Sequence, residues 1–342
     1  MTPQRGGPSD WIAEGEKYAL IGLDANVRDH LPFQELAPGI WVWTDRTFDV
    51  PPQWKEWLGS IRAEEIEGCN FVLVSKLSSQ RPDVLDAENE RLKKRVWSFY
   101  LGLLLASPFS PAHQPIMLTG SRRGDEIDIR EEQALDMPFP NLFRPYPLIF
   151  AGDVQRAAQL GASYGSLVAT PPISGAWRIF RSLSVYVAGR TATDILDRLH
   201  QYCRCIDGLI LSQPGKAAKQ FKSRTELFVG PRHHDMMGDL YEIRSAVEHL
   251  HENRYLETFD RAVRLDLVKK EAIAEHIARC ALARIIGDSS LWPHFVNTAA
   301  LEAFWRLPDA DRRTLWGVPT DPADALLGFD VKFISDGELG QQ

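Results

Sequence analysis

The sequence predicts an α+β protein in which a mixed α/β domain is followed by an antiparallel helical bundle. Short runs of β-branched and aromatic residues bounded by Gly, Pro, Asn or Ser indicate strands, and they become rare beyond about residue 150. The remainder shows amphipathic segments at helical spacing, joined by short loops. The 342 residues exceed the usual size of one compact domain. We therefore expect domains over 1–150 and 151–310, and a C-terminal tail over 311–342.

In the first half, three segments have the character of strands: 39–44, 70–75 and 115–120. A helix is predicted from about residue 82 to 105, because Leu92, Val96, Phe99 and Leu103 recur on one face. Two Pro-rich stretches, 107–115 and 137–148, favour ordered loops.

In the second half, six helices are predicted: 151–168, 175–189, 193–212, 216–229, one from near Asp235 and one that stops at Gly287. Thr191 or Thr193 is the expected N-cap of the third, and Asp235 that of the fifth. Gly230 followed by Pro231 is typical of a helix end.

The composition is that of a globular protein, with 44% apolar and 25% charged residues. The net charge of −7 argues against a protein that coats nucleic acid or an anionic membrane by bulk charge. Residues 173–229 nevertheless carry nine basic against four acidic side chains, which is compatible with a local basic site. The four scattered cysteines do not suggest a disulfide framework, and the start of the chain does not resemble a signal peptide. The expected compartment is the cytoplasm, without membrane attachment.

Three segments of the predicted bundle form an ordered set of motifs. They contribute Asp207 near the end of one helix, Phe221 and Arg224 on the next, and Leu240, Tyr241, Arg244, Ser245 and His249 on the third. In this order the segments resemble the HEPN superfamily of helical nucleotide-binding and ribonuclease domains, specifically its Apea-like branch. The resemblance covers about residues 170–310.

The resemblance implies metal-independent cleavage of RNA, with tRNA as one possible substrate, by a homodimer whose Arg–His pairs meet in a cleft. A ribose 2′-OH would attack the adjacent phosphate, with His249 moving the proton and Arg244 stabilising the charge that develops. Ser245 would donate a further hydrogen bond to phosphate, and Asp207 would position Arg244 or the His. Arg224 and Tyr241 would contact the RNA. No metal or cofactor is implied.

His251 is a second candidate for the catalytic histidine. On a straight helix, Arg244 and His249 lie about 140° apart, whereas Arg244 and His251 lie about 20° apart. The superfamily tolerates both spacings. Its Apea-like branch usually has Gly directly after the His, where this chain has Leu250, so the way the helix ends decides the orientation of His249.

Other interpretations stay open. Arg244 and Glu248, four residues apart, would also form a simple surface ion pair, and Asp207 with Arg224 a structural pair between helices. The leading hypothesis is a ribonuclease of bacterial defence or toxin systems, whose first 150 residues sense a trigger or bind a regulatory partner. The alternative is a non-catalytic scaffold for dimerisation and for nucleotide or RNA binding. A toxin silenced by a modifying partner is disfavoured, because His251 occupies the place of the modified Tyr.

Overall fold

The structure, a computed structural model, describes residues 11–44, 50–143, 147–169, 176–251, 259–328 and 330–340. It confirms the α+β class. The chain divides into two compact units, one made of Met1–Pro138 and Tyr146–Gly165, the other of Phe139–Pro145 and Ser166–Gln342. Within the described ranges, no helix has both the length and the apolar character needed to cross a bilayer.

The first unit is built on an antiparallel sheet. Its described strands are β1 Glu16–Leu23, β2 Gln34–Ala37, β3 Ile40–Trp43, β4 Phe71–Ser78, β5 Ile116–Arg123, β6 Glu126–Ile127 and β7 Glu131–Ala134. The strand order is β2-β3-β4-β1-β5-β6, and β7 also pairs with β5. The three predicted strands correspond to β3, β4 and β5 and are confirmed. The central strand β1 was not predicted; it pairs with β4 from Glu16 opposite Ser78 to Leu23 opposite Phe71.

Helices cover both faces of this sheet. Helix α3, Ala87–Ala106, contacts β1, β4 and β5 and confirms the predicted helix. It begins at a capping box in which Asp86 accepts a hydrogen bond from the backbone of Glu88, 2.9 Å away. Helices α1, Pro52–Leu58, and α2, Ser60–Glu67, pack Trp54 and Ile66 into a separate apolar cluster against the sheet.

The predicted boundary at residue 150 would place helix α4, Ala151–Ala169, in the bundle. Most of this helix instead belongs to the first unit. The reason is a close helix contact through glycine. A Cβ atom on Gly102 of α3 would lie 2.1 Å from the carbonyl oxygen of Ala157, and one on Gly161 would lie 2.8 Å from that of Ser98. Such a contact leaves no trace in an apolar periodicity.

The second unit is helical. Its described helices are α5 Trp177–Thr191, α6 Ile195–Ile210, α7 Ala217–Val229, α8 His234–Glu248, α9 Arg261–Gly287, α10 Trp292–Phe295, α11 Thr298–Arg306, α12 Asp309–Trp316 and α13 Asp336–Gly340. Helix α6 is central, since it packs against α5, α7, α8 and α9. The predicted helices from 175 to 287 are confirmed as α5 to α9. The predicted break at 170–175 lies outside the described residues.

The helix caps differ in part from those predicted. Asp194, not Thr191 or Thr193, caps α6, because its carboxylate accepts from the backbone N–H groups of Leu196 and Asp197 at 2.8 and 3.1 Å. Asp235 lies inside the first turn of α8 rather than at its N-cap.

The interior of the second unit contains an ionic network that the sequence did not reveal. On α9, Glu271 accepts from Arg198 at 3.0 Å. One turn later, Glu275 accepts from Tyr186 at 2.8 Å and from Arg279 at 3.0 Å. All these side chains are buried.

The segment predicted as a tail, 311–342, folds onto the second unit. The Trp316 ring, at the end of α12, lies 4.5 Å from that of Phe228. Arg261 at the start of α9 donates to the carbonyl oxygen of Ile334 at 2.6 Å. The prediction missed this because the segment combines a strongly polar composition with a few widely spaced apolar anchors.

Candidate phosphate-binding cleft

A cleft of about 310 Å³ lies between α5, α6 and α8 of the second unit. Four arginines line it: Arg178, Arg181, Arg204 and Arg244. The acidic residue in the lining is Asp207, so the local charge is strongly positive. A guanidinium stays charged and its N–H groups match phosphate oxygens. The arrangement therefore suits a phosphate or a similar anion.

Arg244 lies where α8 faces the end of α6. Its Nη2 is 3.8 Å from Asp207 Oδ2 and 3.6 Å from Glu248 Oε2, and its side chain is 18% exposed. The guanidinium also lies 5.8 Å from the centroid of the Tyr241 ring. The structure thus brings together three residues predicted for the site: Asp207, Tyr241 and Arg244. It also contains the Arg244–Glu248 pair that the spacing predicted.

Several polar atoms of the cleft residues lack a hydrogen-bond partner. They are buried and comprise Nε of Arg178, Oδ1 of Asp207, Oγ of Ser212 and Nε of Arg244. An unsatisfied buried polar group costs about 1–3 kcal/mol. A ligand that reached these groups after small side-chain movements would recover part of this cost.

Arg178 is held rigidly in the wall of the cleft. Its Nη1 donates to the Gly208 carbonyl oxygen at 2.7 Å and its Nη2 donates to Thr298 Oγ1 at 2.8 Å. Burial lowers the pKa of Arg178, and nearby Asp207 opposes the shift. These bonds tie the start of α5 to the end of α6 and to α11.

The predicted histidines lie at the exposed end of α8. The helix ends at Glu248, so His251 is not on it and the 20° separation from Arg244 does not apply. His251 N–H donates to the Ala246 carbonyl at 2.9 Å and Leu250 N–H donates to that of Val247 at 3.2 Å, which is the Schellman ending. Both imidazoles are exposed, with ring centroids 5.8 Å apart. The cleft lining does not include them.

Leu250 adopts the left-handed conformation, φ 54°, that glycine usually supplies at this position. Its side chain is 92% exposed, so its burial offsets almost none of the backbone strain. Leu250→Gly is therefore expected to raise the free energy of unfolding by about 1 kcal/mol, measured by urea unfolding. Leu327 is the matched control, because it is 60% exposed and has a φ of −68°. Leu327→Gly should not stabilise the protein, and equal effects of the two substitutions would contradict the strain at Leu250.

Sequence reasoning missed His200, which the structure connects to Arg244. His200 Nε2 lies 2.6 Å from Glu248 Oε2, and Glu248 is the ion-pair partner of Arg244. The hydrogen bond from His200 lowers the pKa of Glu248. His200 is on α6, whereas the Arg–His motif begins on α8 at Arg244, so residue spacing along α8 gives no signal for His200.

Arg224 and Ser245, also predicted for the site, have other positions. Arg224 Nη1 donates to the carbonyl oxygens of Ile210 and Leu211 at 2.7 and 2.6 Å, which caps the end of α6. The expected pairing of Arg224 with Asp207 is thus replaced by bonds to backbone. Ser245 is half-buried on α8, and its carbonyl accepts the N–H of His249 at 3.1 Å.

The other chemistry-bearing groups have structural contacts. His234 Nδ1 lies 2.6 Å from Glu226 Oε1. Cys203 and Cys205 are free and buried, and burial raises the pKa of Cys203 to about 12. In the part of the chain that the structure describes, no group of three or more His, Cys, Asp and Glu residues is arranged to hold a metal ion.

No protein-family model matches this chain, and neither a curated protein nor a solved structure matches it. The HEPN resemblance therefore stays an expectation that rests on the residues quoted for it.

Proposed function

We propose that this protein is a metal-independent endoribonuclease that acts as a homodimer. The observation that carries the proposal is the cleft with four arginines and one aspartate, which contains the Arg244 that the motif predicts. The buried, unsatisfied Nε atoms of Arg178 and Arg244 add unmet capacity to donate hydrogen bonds.

In the proposed reaction, the ribose 2′-oxygen attacks the adjacent phosphorus and the bond from phosphorus to the 5′-oxygen breaks. A base removes the 2′-OH proton, an acid gives a proton to the leaving 5′-oxygen, and a 2′,3′-cyclic phosphate forms. Arg244 would stabilise the extra negative charge on the phosphate in the transition state. His249 or His251 would transfer the protons. Because both imidazoles are exposed beyond the cleft lining, we propose that a second copy of the chain contributes them across a two-fold axis.

The test is cleavage of total tRNA by the purified full chain in EDTA. Wild type should produce fragments ending in a 2′,3′-cyclic phosphate, and Arg244→Ala should lower the rate about a hundredfold, the size of effect seen when one transition-state donor is removed. Arg306→Ala is the matched control, because Arg306 is 79% exposed on α11, where it pairs with Glu302 at 3.4 Å. Equal rates for the two variants would contradict the role of Arg244.

The two histidines are separated in the same assay. Loss of cleavage in His249→Ala with retention in His251→Ala assigns the proton transfer to His249, and the reverse pattern assigns it to His251. Retention of cleavage in the double variant would exclude both residues and leave His200 as the imidazole to test.

A second candidate function is a non-catalytic scaffold for dimerisation and RNA binding. The observation in its favour is that the cleft of one chain is lined by cations without an imidazole. A dimer that binds tRNA but leaves it intact, with or without divalent ions, would support the scaffold.

The biological setting is part of the proposal. A role in bacterial defence or as a toxin would place the chain in the cytoplasm, where thiols such as Cys203 stay reduced. The sheet-containing unit would then receive the trigger or bind a regulatory partner.

A further inference from the structure

We infer that the arginine cleft takes single-stranded RNA, with one unpaired base stacked on Trp177 and the flanking phosphates on the arginines. This inference rests on the proposed function and adds the form of RNA that the site accepts. It starts from Trp177, a large aromatic side chain that lines the cleft and yet is 59% exposed.

Trp177 lies at a helix start that hydrogen bonds of the next residue hold in place. It is the first residue of α5, and the next residue, Arg178, donates its backbone N–H to the Val296 carbonyl at 3.1 Å. The Arg178 side chain adds the two bonds to Gly208 and Thr298. The start of α5 is therefore anchored at backbone and side chain, so that little order has to be gained when a base stacks on the indole.

Charge and aromatic surface lie together in this cleft. Arg178 and Arg181 follow Trp177 on α5, while Arg204 and Arg244 approach from α6 and α8. An aromatic platform beside a row of cations is the usual arrangement for single strands, because each base has a face to stack and each nucleotide a phosphate to bind.

The size of the cleft favours a single strand over a duplex. A volume of about 310 Å³ is at the lower end of small-ligand sites. It has room for about one nucleotide, and a base held inside a double helix cannot turn its face to the indole.

The test compares three oligomers with 2′-O-methyl riboses, which the proposed reaction cannot cleave. They are a single-stranded hexamer, the same hexamer with abasic residues, and a hairpin whose stem holds the hexamer sequence in base pairs. Fluorescence anisotropy with the full chain should show that wild type prefers the single-stranded hexamer. Trp177→Ala should weaken this binding tenfold or more, since one stacked base commonly contributes that much. It should leave the affinity for the abasic oligomer unchanged, and Trp177→Phe should retain most of the affinity.

Trp57→Ala is the matched control, because Trp57 is 54% exposed on α1 of the other unit and should not affect binding. The inference is overturned if Trp177→Ala binds the hexamer like wild type, if it weakens the abasic oligomer equally, or if wild type binds none of the oligomers. Unchanged binding in Trp177→Ala, together with cleavage that depends on Arg244, would reject the stacking and leave the ribonuclease proposal intact. Binding that depends on the bases, without any cleavage, would support the stacking on Trp177 and reject the ribonuclease proposal.

Discussion

Glu275→Gln is expected to lower the free energy of unfolding of the helical unit by about 3–5 kcal/mol. The Glu275 carboxylate is 9% exposed and serves two guanidiniums: Arg279 Nε at 3.0 Å and Arg190 Nη1 at 3.6 Å. Tyr186 donates to it at 2.8 Å. Burial opposes its ionisation, but Arg279 and Arg190 outweigh burial and lower the pKa of Glu275. A neutral amide would remove the negative charge that Arg279 and Arg190 share at this position.

Urea unfolding of the full chain, followed by far-ultraviolet circular dichroism, measures this loss. Because the pKa is lowered, the carboxylate stabilises the fold above its unfolded pKa of about 4.3, and this contribution disappears as the pH falls through the folded pKa. The difference in the free energy of unfolding between wild type and Glu275→Gln should therefore become smaller in acid. Glu302→Gln is the surface control, since Glu302 is 43% exposed and pairs with Arg306 at 3.4 Å. A loss at Glu275 no greater than at Glu302 would show that the network contributes little.

The sequence predicted helices that have one apolar and one polar face, and it missed strands in which apolar and polar residues do not alternate. Helix α3 was predictable because one side of it is apolar. Strand β1 was not, because Lys17 through Leu23 are all buried and the usual alternation of apolar and polar residues is absent. The short strands β2, β6 and β7 are mostly polar and carry no pattern of their own.

In the candidate site, too, the sequence motifs predicted some residues, whereas others are brought there only by tertiary packing. Arg244 and Tyr241 are three residues apart on one helix, and the ordered motifs added Asp207 from α6. The other arginines of the cleft come from α5 and α6, so their convergence is a matter of tertiary packing; only the positive charge of residues 173–229 hinted at it. The position of His251 relative to α8 follows from the left-handed backbone at Leu250, a conformation that leucine rarely adopts.

Glu271→Gln, one helical turn from Glu275, is expected to have the opposite effect and stabilise the protein at neutral to alkaline pH. The Glu271 side chain is 2% exposed, Arg198 is its ion-pair partner at 3.0 Å, and its Oε2 has no hydrogen-bond partner. Burial is the main cause that raises the pKa of Glu271 to about 7, with Glu275 adding repulsion and Arg198 opposing both. Arg198 also donates to the carbonyl oxygen of Thr193 at 3.0 Å, so a neutral residue 271 would not leave it without acceptors.

The direction of the pH dependence follows from the number of protons that each state binds. From about pH 4.5 to pH 7 the folded state holds more protons at residue 271 than the unfolded state does, so this group's contribution to stability falls as the pH rises and levels off above 7. Glutamine does not titrate and keeps the uncharged form throughout. Its advantage over wild type should grow from less than about 1 kcal/mol at pH 5 to about 3 kcal/mol at pH 8. Urea unfolding of both proteins at these two pH values measures the difference, with Glu302→Gln again as the control. If Glu271→Gln were the less stable protein at pH 8, the Arg198–Glu271 pair would outweigh its own burial, and both glutamates of α9 would stabilise the fold as anions.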